Sequence, residues 1–505
     1  MRKFLSVLLA LAVLPLVTGA ATLSAAPKTI TIGVDQEAVG LDPHIVTAFS
    51  SFRRVDLMYN RLVRLDDNLV VVPDLAASWD IPDALTYVFH LRHGVKFHNG
   101  REMTSDDVKY SLERVLDPKT ASPGRSYLTS VTAVEAPDRY TVRIKLSAPL
   151  ASLLDALTSD NISIVAKEVV QANGNLQKVD GGTGPFMLKE WVADNSMTLA
   201  KFPDYFEKGA PLVDQVIFRV IPEQASLLAG VKSGDLDMAT INDGATVRQA
   251  ASDSSITVLS KPGLNMRIFS FNTTHKPFDD VRVRQAVALV LNRPEILQLA
   301  EFGMGQPTGP IPVAATQWAL PLAKLPFSSP DIARAKSLLA AAGFPNGFSF
   351  KLTCSSTYEG GLAVAQVAQN ELKQIGLDAQ LDVVEWGVYI DKWVKRDFDT
   401  MIELRGGSGE PDRFLYRTFY STGGVNNFLF KNADVDKLLD QGRTQTRPAE
   451  RKATYDRLQA LLMEQNPAVF LYCPNENQVL SKHLSGFKLV GNGSLYYLTW
   501  TDVTK

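Results

Sequence analysis

The chain has 505 residues, 45% of them apolar and 21% charged, the balance of a folded globular protein and too long for a single hydrophobic core. Lysine plus arginine number 52 against 54 acids, a net charge of -2. Nucleic acid is thereby excluded as the main partner, because neutralising phosphates needs a basic excess or patch.

The N-terminus reads as an export signal. Arg2 and Lys3 supply two positive charges, "LSVLLALAVLPLV" (5–17) is an apolar stretch of signal length, and "TGAATLSAA" (18–26) offers small-residue cleavage sites. Pro15 interrupts the stretch, which falls short of the ~20 apolar residues of a membrane span. No cysteine lies near the cleavage region to carry a lipid. The expectation is a signal peptide over 1–26 and a soluble periplasmic protein without a lipid anchor. The two cysteines, Cys354 and Cys473, could pair in an oxidising compartment, but both sit in apolar strand-like segments, so two buried free thiols are expected.

In chain order, "KTITIGVD" (28–35) reads as a first strand and "TYVFHLRHGVKF" (86–97) as another, ending in a glycine turn. "TAVEAPDRYTVRIKL" (132–146) reads as a hairpin with Pro137-Asp138 in its turn and Val142, Ile144 and Leu146 on one face. Beyond this strand-rich third, strands alternate with helices. A helix from about Glu223 to Lys232 ends at Ser233-Gly234, and another opens at Asp279-Asp280 with Val283, Ala286, Val287, Val290 and Leu291 along one face. "SSPDIARAKSLLAAAG" predicts a helix with a serine cap, Pro330 in its first turn and Gly343 past its end. "FSFKLTC", "AQLDVVEW" and "TMIEL" read as strands separated by helices, a βαβαβ rhythm that implies a mostly parallel sheet. A long amphipathic helix, "PAERKATYDRLQALLMEQ", precedes the strand "AVFLYC".

Ligands of open α/β sheets sit outside the carboxyl ends of strands. Three such ends should share one crevice: "SSTYEGG" after "FKLTC", Trp386 at the end of "LDVVEW", and "RGGSGEPDRF" (405–414) after "TMIEL". The glycine loop fits no catalytic template. Gly406, Gly407, Ser408, Gly409 and Glu410 lack the last glycine of a nucleophile elbow, and no Gly-Lys pair exists for a P-loop. His90, His93 and His98 are close together without a carboxylate or thiol at ligand spacing, and read as hairpin decoration rather than metal ligands. No cofactor or metal is expected. Tyr358, Trp386 and Tyr389 could offer ring area to a ligand or pack in the core.

The block "LAASWDIPDALTYVFHLRHGVKFHNGREMTSDDVKYSLERVLDP" (75–118) resembles the solute-binding proteins of the peptide, nickel and oligosaccharide group of ABC importers. The resemblance continues through "GTGPFML" (182–188), "SGDLDM" (233–238), "PFDDVRVRQAVALVLNRPEI" (277–296), "AKSLLAAAGFPNG" (335–347) and "NPAVFLY" (466–472), essentially the whole chain after the signal. It implies a two-lobed α/β periplasmic-binding-protein fold, type II, cluster C. Lobe I would be 27–262 plus 475–505, with an extra strand-rich subdomain at about 60–182, and lobe II 263–474. It also implies a monomer that closes on a small solute and delivers it to ABC permease subunits in the inner membrane, with no catalysis of its own. An exported hydrolase, or a periplasmic chaperone or sensor on the same fold, is the competing reading.

The resemblance also bears on the ligand. Peptide-binding members carry an aspartate for the peptide amine where this chain has Gly407, and dipeptide binders carry an arginine for the ligand carboxylate in the segment that here reads "SSTYEGG". Both anchors are missing, although Glu410 or Asp412 could move in for the first. A buried ammonium without a counter-charge costs several kcal/mol, so ordinary dipeptides are disfavoured. The expected ligand is a peptide or peptide-like compound such as glutathione, an opine, or a short oligosaccharide; a nickel chelate stays open. The expected site is Tyr358, Trp386, Arg405, Gly407 and Ser408. Trp386 would stack on ligand, the loop would offer backbone N–H groups, and Arg405 would meet an acid group or else form an ion pair within the protein.

Overall fold

The strand Ala468–Ser481 is 14 residues long and belongs to two halves of the molecule at once. Its first half, the buried run "AVFLYC", lies antiparallel to Met266–Phe271, with Ser270 opposite Ala468 and Arg267 opposite Tyr472. Its second half lies antiparallel to Ile256–Pro262, from Pro262 opposite Asn475 to Ile256 opposite Ser481, and to Met238–Thr240. Two adjacent strands, running in opposite directions, thus carry the chain between the lobes. This computed structural model describes residues 27–356 and 361–504, so the expected signal peptide, 1–26, and Tyr358 lie outside the described residues.

One mixed sheet of twelve strands runs through the described residues. On one side of the long strand the order is Met238–Thr240, Thr29–Val34, Gln215–Val220, Ser196–Lys201 and Phe186–Val192. On the other it is Met266–Phe271, Thr400–Arg405, Ser349–Ser355 and Asp378–Val384. The strand positions follow the sequence reading, but the sheet is less parallel than expected. Ser349–Ser355 is parallel to both of its neighbours, whereas Thr400–Arg405 is antiparallel to Met266–Phe271. Each half buries its own core, one around Ile30, Ile32, Val216 and Phe218, the other around Phe269, Phe271, Phe278 and Leu352.

A four-stranded antiparallel sheet forms a separate small body: Ala76–Asp83, Thr86–Leu91, Thr141–Leu146 and Val131–Asp138, in that order. The helix Ser105–Leu116 packs on it, opened by a capping box in which Asp107 accepts from the Thr104 backbone N–H at 2.9 Å. Val142, Ile144 and Leu146 are buried, as their alternation requires. The hairpin turn falls at Arg139-Tyr140 rather than Pro137-Asp138, because both strands are extended as far as the Asp138–Thr141 pair.

Two other local readings shift. Asp331, not a serine, caps the helix Ile332–Ala341, accepting from Arg334 N–H at 3.0 Å. Trp386 opens the helix Trp386–Lys395 instead of ending a strand, because the Glu385 carboxylate accepts from Gly387 N–H and caps the helix there. Cys354 and Cys473 are both buried free thiols. No helix among the described residues is long and apolar enough to cross a membrane.

Candidate ligand-binding cleft

Where the two connecting strands pass between the lobes, a cavity of about 570 Å3 opens. Lobe I contributes Asp35, after the first strand, and Phe49, Arg53 and Asp56 of the helix Phe49–Met58. Arg61 and Arg64 follow that helix, and the loop Asn492–Ser494 and Tyr496 close the same side. From lobe II come Asn265, Arg267, Glu301 and Leu404, and the long strand supplies Pro474, Asn475 and Glu476. Phe49 leaves 62% of its surface exposed at the mouth, edge-on to Phe52.

The lining is unusually charged, and most of the charges neutralise one another. Arg61 donates to Asp56 at 2.7 Å and also reaches Asp160. Arg267 lies 3.7 Å from Glu301, and Arg53 lies 4.0 Å from Glu476. Burial raises the Glu476 carboxyl above its usual range, against the pull of Arg53. Among the described residues, Asp35 accepts from amide N–H groups of Gln224 and Asn242, at 3.4 Å each.

A second chamber of about 270 Å3 adjoins the first, sharing Arg267 and Leu404 with it. Trp386, Tyr389, Ile390 and Trp393 from one helix line it, with Glu403, Arg405 and Gly406 opposite. Trp386 and Tyr389 stack, their ring centroids 5.3 Å apart. Tyr389 is buried and its hydroxyl donates to Ile402 O at 2.9 Å, while Trp386 keeps 39% of its surface exposed. Tyr389 is therefore a fixed support against which the more exposed Trp386 ring stacks.

Of the expected site residues, the structure brings Trp386 and Arg405 to this second chamber. Arg405, however, is engaged within the protein. Its Nε lies 2.9 Å from Glu403 Oε2, and it donates to Val425 O at 3.2 Å and to Asn427 Oδ1. Its plane lies over Phe428, 4.8 Å away, and near Trp393. Trp393 Nε1–H also donates to Glu403, at 2.9 Å. Gly407 lines neither cavity. A Cβ there would lie 2.1 Å from Leu264 O and 2.6 Å from Pro312 Cγ, so the loop is pressed against the connection between the lobes. Ser408 also lines neither; its Oγ accepts from Glu410 N–H at 3.1 Å.

Glu410 and Asp412, the possible replacements for the missing aspartate, hold arginines instead. Glu410 takes Arg451 at 2.8 Å in a buried pair, and Asp412 takes Arg443 at 3.0 Å and Ser152 Oγ–H at 2.8 Å. The last of these contacts joins the small body to lobe II. Beside it, Arg413 donates to Asp155 at 2.7 Å under the Tyr127 ring, and Ala151 N–H donates to Arg443 O at 3.0 Å. These contacts tie residues 151–155, beside the small body, to the segment that carries Asp412, Arg413 and Arg443.

The lobe I wall was not singled out from sequence. A signal was present: "SSFRRVDLMYNRLVRLDD" (50–67) places Arg53, Arg54, Arg61 and Arg64 among Val55, Leu57, Met58, Leu62, Val63 and Leu65 in one helix–strand passage. Such a density of guanidinium groups among core residues requires partners or a ligand.

A two-lobed α/β body, crossed twice by its chain and enclosing a charged cavity at the crossing, is built as a solute receptor. Residues 70–427 match the model of the bacterial extracellular solute-binding proteins, family 5 (middle), and the chain belongs to that family. It is 27% identical over 475 residues to the glutathione-binding protein GsiB of Escherichia coli K12, covering 92% of each chain. Among solved structures it is similar to AgaA of Agrobacterium tumefaciens R10, in complex with agropinic acid, at 30% identity and a TM-score of 0.78, covering 94% of this chain and 99% of that one. It is also similar to the ABC transporter-associated periplasmic binding protein DppA of Helicobacter pylori, in complex with the peptide STSA, at 27% identity and a TM-score of 0.78, covering 94% and 98%. The family places the protein outside the cytoplasmic membrane as the binding component of an ABC importer.

Proposed function

We propose that this protein captures a small polar solute in the periplasm and hands it, enclosed between its lobes, to inner-membrane permease subunits. In this reading residues 1–26 are removed on export, lobe I is 27–262 plus 475–505 with its subdomain at about 60–182, lobe II is 263–474, and the protein works as a monomer without catalysis. The carrying observation is the position of the 570 Å3 cavity at the two-strand crossing, lined from both lobes. A ligand there is paid for by closure, since only the closed form contacts it on both sides. The solute is a peptide or peptide-like compound, such as glutathione or an opine, or a short oligosaccharide. The ligands named for GsiB, AgaA and DppA support that range.

A thermal-shift screen of refolded, ligand-stripped protein tests the reading. A solute at ~100 times its Kd stabilises the folded state by roughly 2.7 kcal/mol, enough to move the midpoint visibly. Stabilisation by one of these classes supports the reading, and none by any of them rejects it. Steady turnover of a bound solute would instead favour the hydrolase alternative.

A further inference from the structure

Arg64 stands apart from the other arginines of the cleft. Arg53, Arg61 and Arg267 each lie within 4.0 Å of a carboxylate. Arg64 has no carboxylate at that distance among the described residues, and its Nε and one terminal nitrogen are buried without any hydrogen-bond partner. Its guanidinium lies against ring faces, 4.9 Å from the centroid of Tyr496 and 5.7 Å from that of Trp500. Burial would weaken its hold on the proton, yet the surrounding groups, the acids Asp74 and Glu207 among them, more than offset that and raise it above the usual arginine value. None of these takes a hydrogen bond from it. Asp74 is already occupied by Asn60 and by the Arg61 backbone. A guanidinium that lines a cavity, charged and pre-oriented by aromatic faces, with buried N–H groups left over, is short of one acceptor.

We propose that Arg64 is the residue by which this cleft selects its solute, and that the solute presents a carboxylate to it. The proposal rests on the reading of the cleft as the solute site. It moves the anion-recognition role from Arg405, whose donors Glu403, Asn427 and Val425 absorb, to the opposite lobe. The rest of the lining favours a carboxylate over a phosphate. Asp35, Asp56, Asp160, Glu301 and Glu476 line the same cavity, and a dianion would meet their repulsion twice over. The solute's apolar portion then has the adjoining chamber, which shares Leu404 with the first and is lined by Ile390 and Trp393.

The test compares acids with their neutral amides by calorimetry, using glutathione, trialanine and agropinic acid, each beside its carboxamide, with maltotriose and glucose 6-phosphate as further probes. The expected result is that at least one acid binds roughly 10- to 100-fold more tightly than its amide. Arg64→Gln should then level acid and amide, and Arg64→Lys, which keeps the charge without the fork, should retain a reduced preference. A merely structural role would lower both affinities together and leave their ratio unchanged. Acid preference that survives in Arg64→Gln overturns the proposal. So does tighter binding of maltotriose or of the amides, although the solute-binding reading then stands. Preference for glucose 6-phosphate overturns the carboxylate assignment. Binding of no probe removes both readings together. Should Arg64→Gln fail to fold, the acid-to-amide ratio of Arg64→Lys against the natural protein decides.

Discussion

At Arg405, a side chain that looks poised for a ligand from sequence belongs to a buried network. Glu403 is 2% exposed and accepts from Trp393 and Asn427 as well as meeting Arg405. Removing the arginine leaves that carboxylate buried without its counter-charge. Arg405→Ala should therefore cost about 3–5 kcal/mol of stability, read as a fall in denaturation midpoint with and without ligand. A folded variant of unchanged midpoint that loses only acidic ligands would restore the ligand-contact role. His44 gives a residue-level prediction in pH. Its ring is wholly buried, bonded through Nε2 to Ser163 O at 2.8 Å, while Arg114 lies 2.8 Å from Nδ1. The guanidinium can only donate, so Nδ1 accepts and the ring is neutral. Burial, then Arg114, lowers its pKa to about 4. Between about 4 and 6.5 the unfolded chain binds a proton that the folded one does not, so this group's stability contribution is lost as pH falls through that window. Glu371, pushed up to about 7 by burial, tilts the same range the other way. The contribution is thus read as a difference: melting curves of His44→Gln and the natural protein should converge from pH 7 to pH 4, and parallel curves would contradict it.

Among the elements, the helix Trp386–Lys395 carries the chamber. Its capping Glu385 was readable in the sequence, but the run "LDVVEW" looked like one strand because its apolar spacing suits either state. The early strands and the helix starting at Val281 were legible because alternation or a 3.6-residue period agreed with turn and cap residues. The long strand Ala468–Ser481 was legible only as far as Cys473. Beyond it "PNENQ" breaks the apolar pattern, since Pro474, Asn475 and Glu476 line the cleft and the buried Asn477 and Gln478 are held by side-chain hydrogen bonds to Ser260 and Thr240. For the same reason half of the cleft escaped notice: its walls are loops and helix ends brought together from positions 35 to 496. Trp386 and Tyr389, by contrast, were marked from the sequence as rings for a ligand or for the core, and both line the second chamber, from a helix rather than a strand end. Trp386→Ala should leave the denaturation midpoint within about 0.5 kcal/mol of the natural protein, because much of the ring is solvent-exposed, while weakening solute binding. Calorimetry showing unchanged affinity would remove Trp386 from the site.

For the whole molecule, the clasp of Asp155 with Arg413 and of Ser152 with Asp412 acts across the lobes, so its loss should fall on closure more than on folding. Arg413→Gln with Asp155→Asn should raise the ligand-free radius of gyration in X-ray scattering and weaken solute affinity by roughly tenfold. An unchanged scattering profile would mean that the hinge alone sets the closed state. The continuous strand has a further consequence, in the order of manufacture. Residues 468–481 fill the middle of the sheet on which both lobes are built, so the strands that border them, Met238–Thr240, Ile256–Pro262, Met266–Phe271 and Gly305–Pro307, wait with an open edge. Neither lobe can be finished while the ribosome is still working on the first nine-tenths of the chain. A keystone delivered last leaves the two halves of the sheet unjoined until the chain is nearly complete.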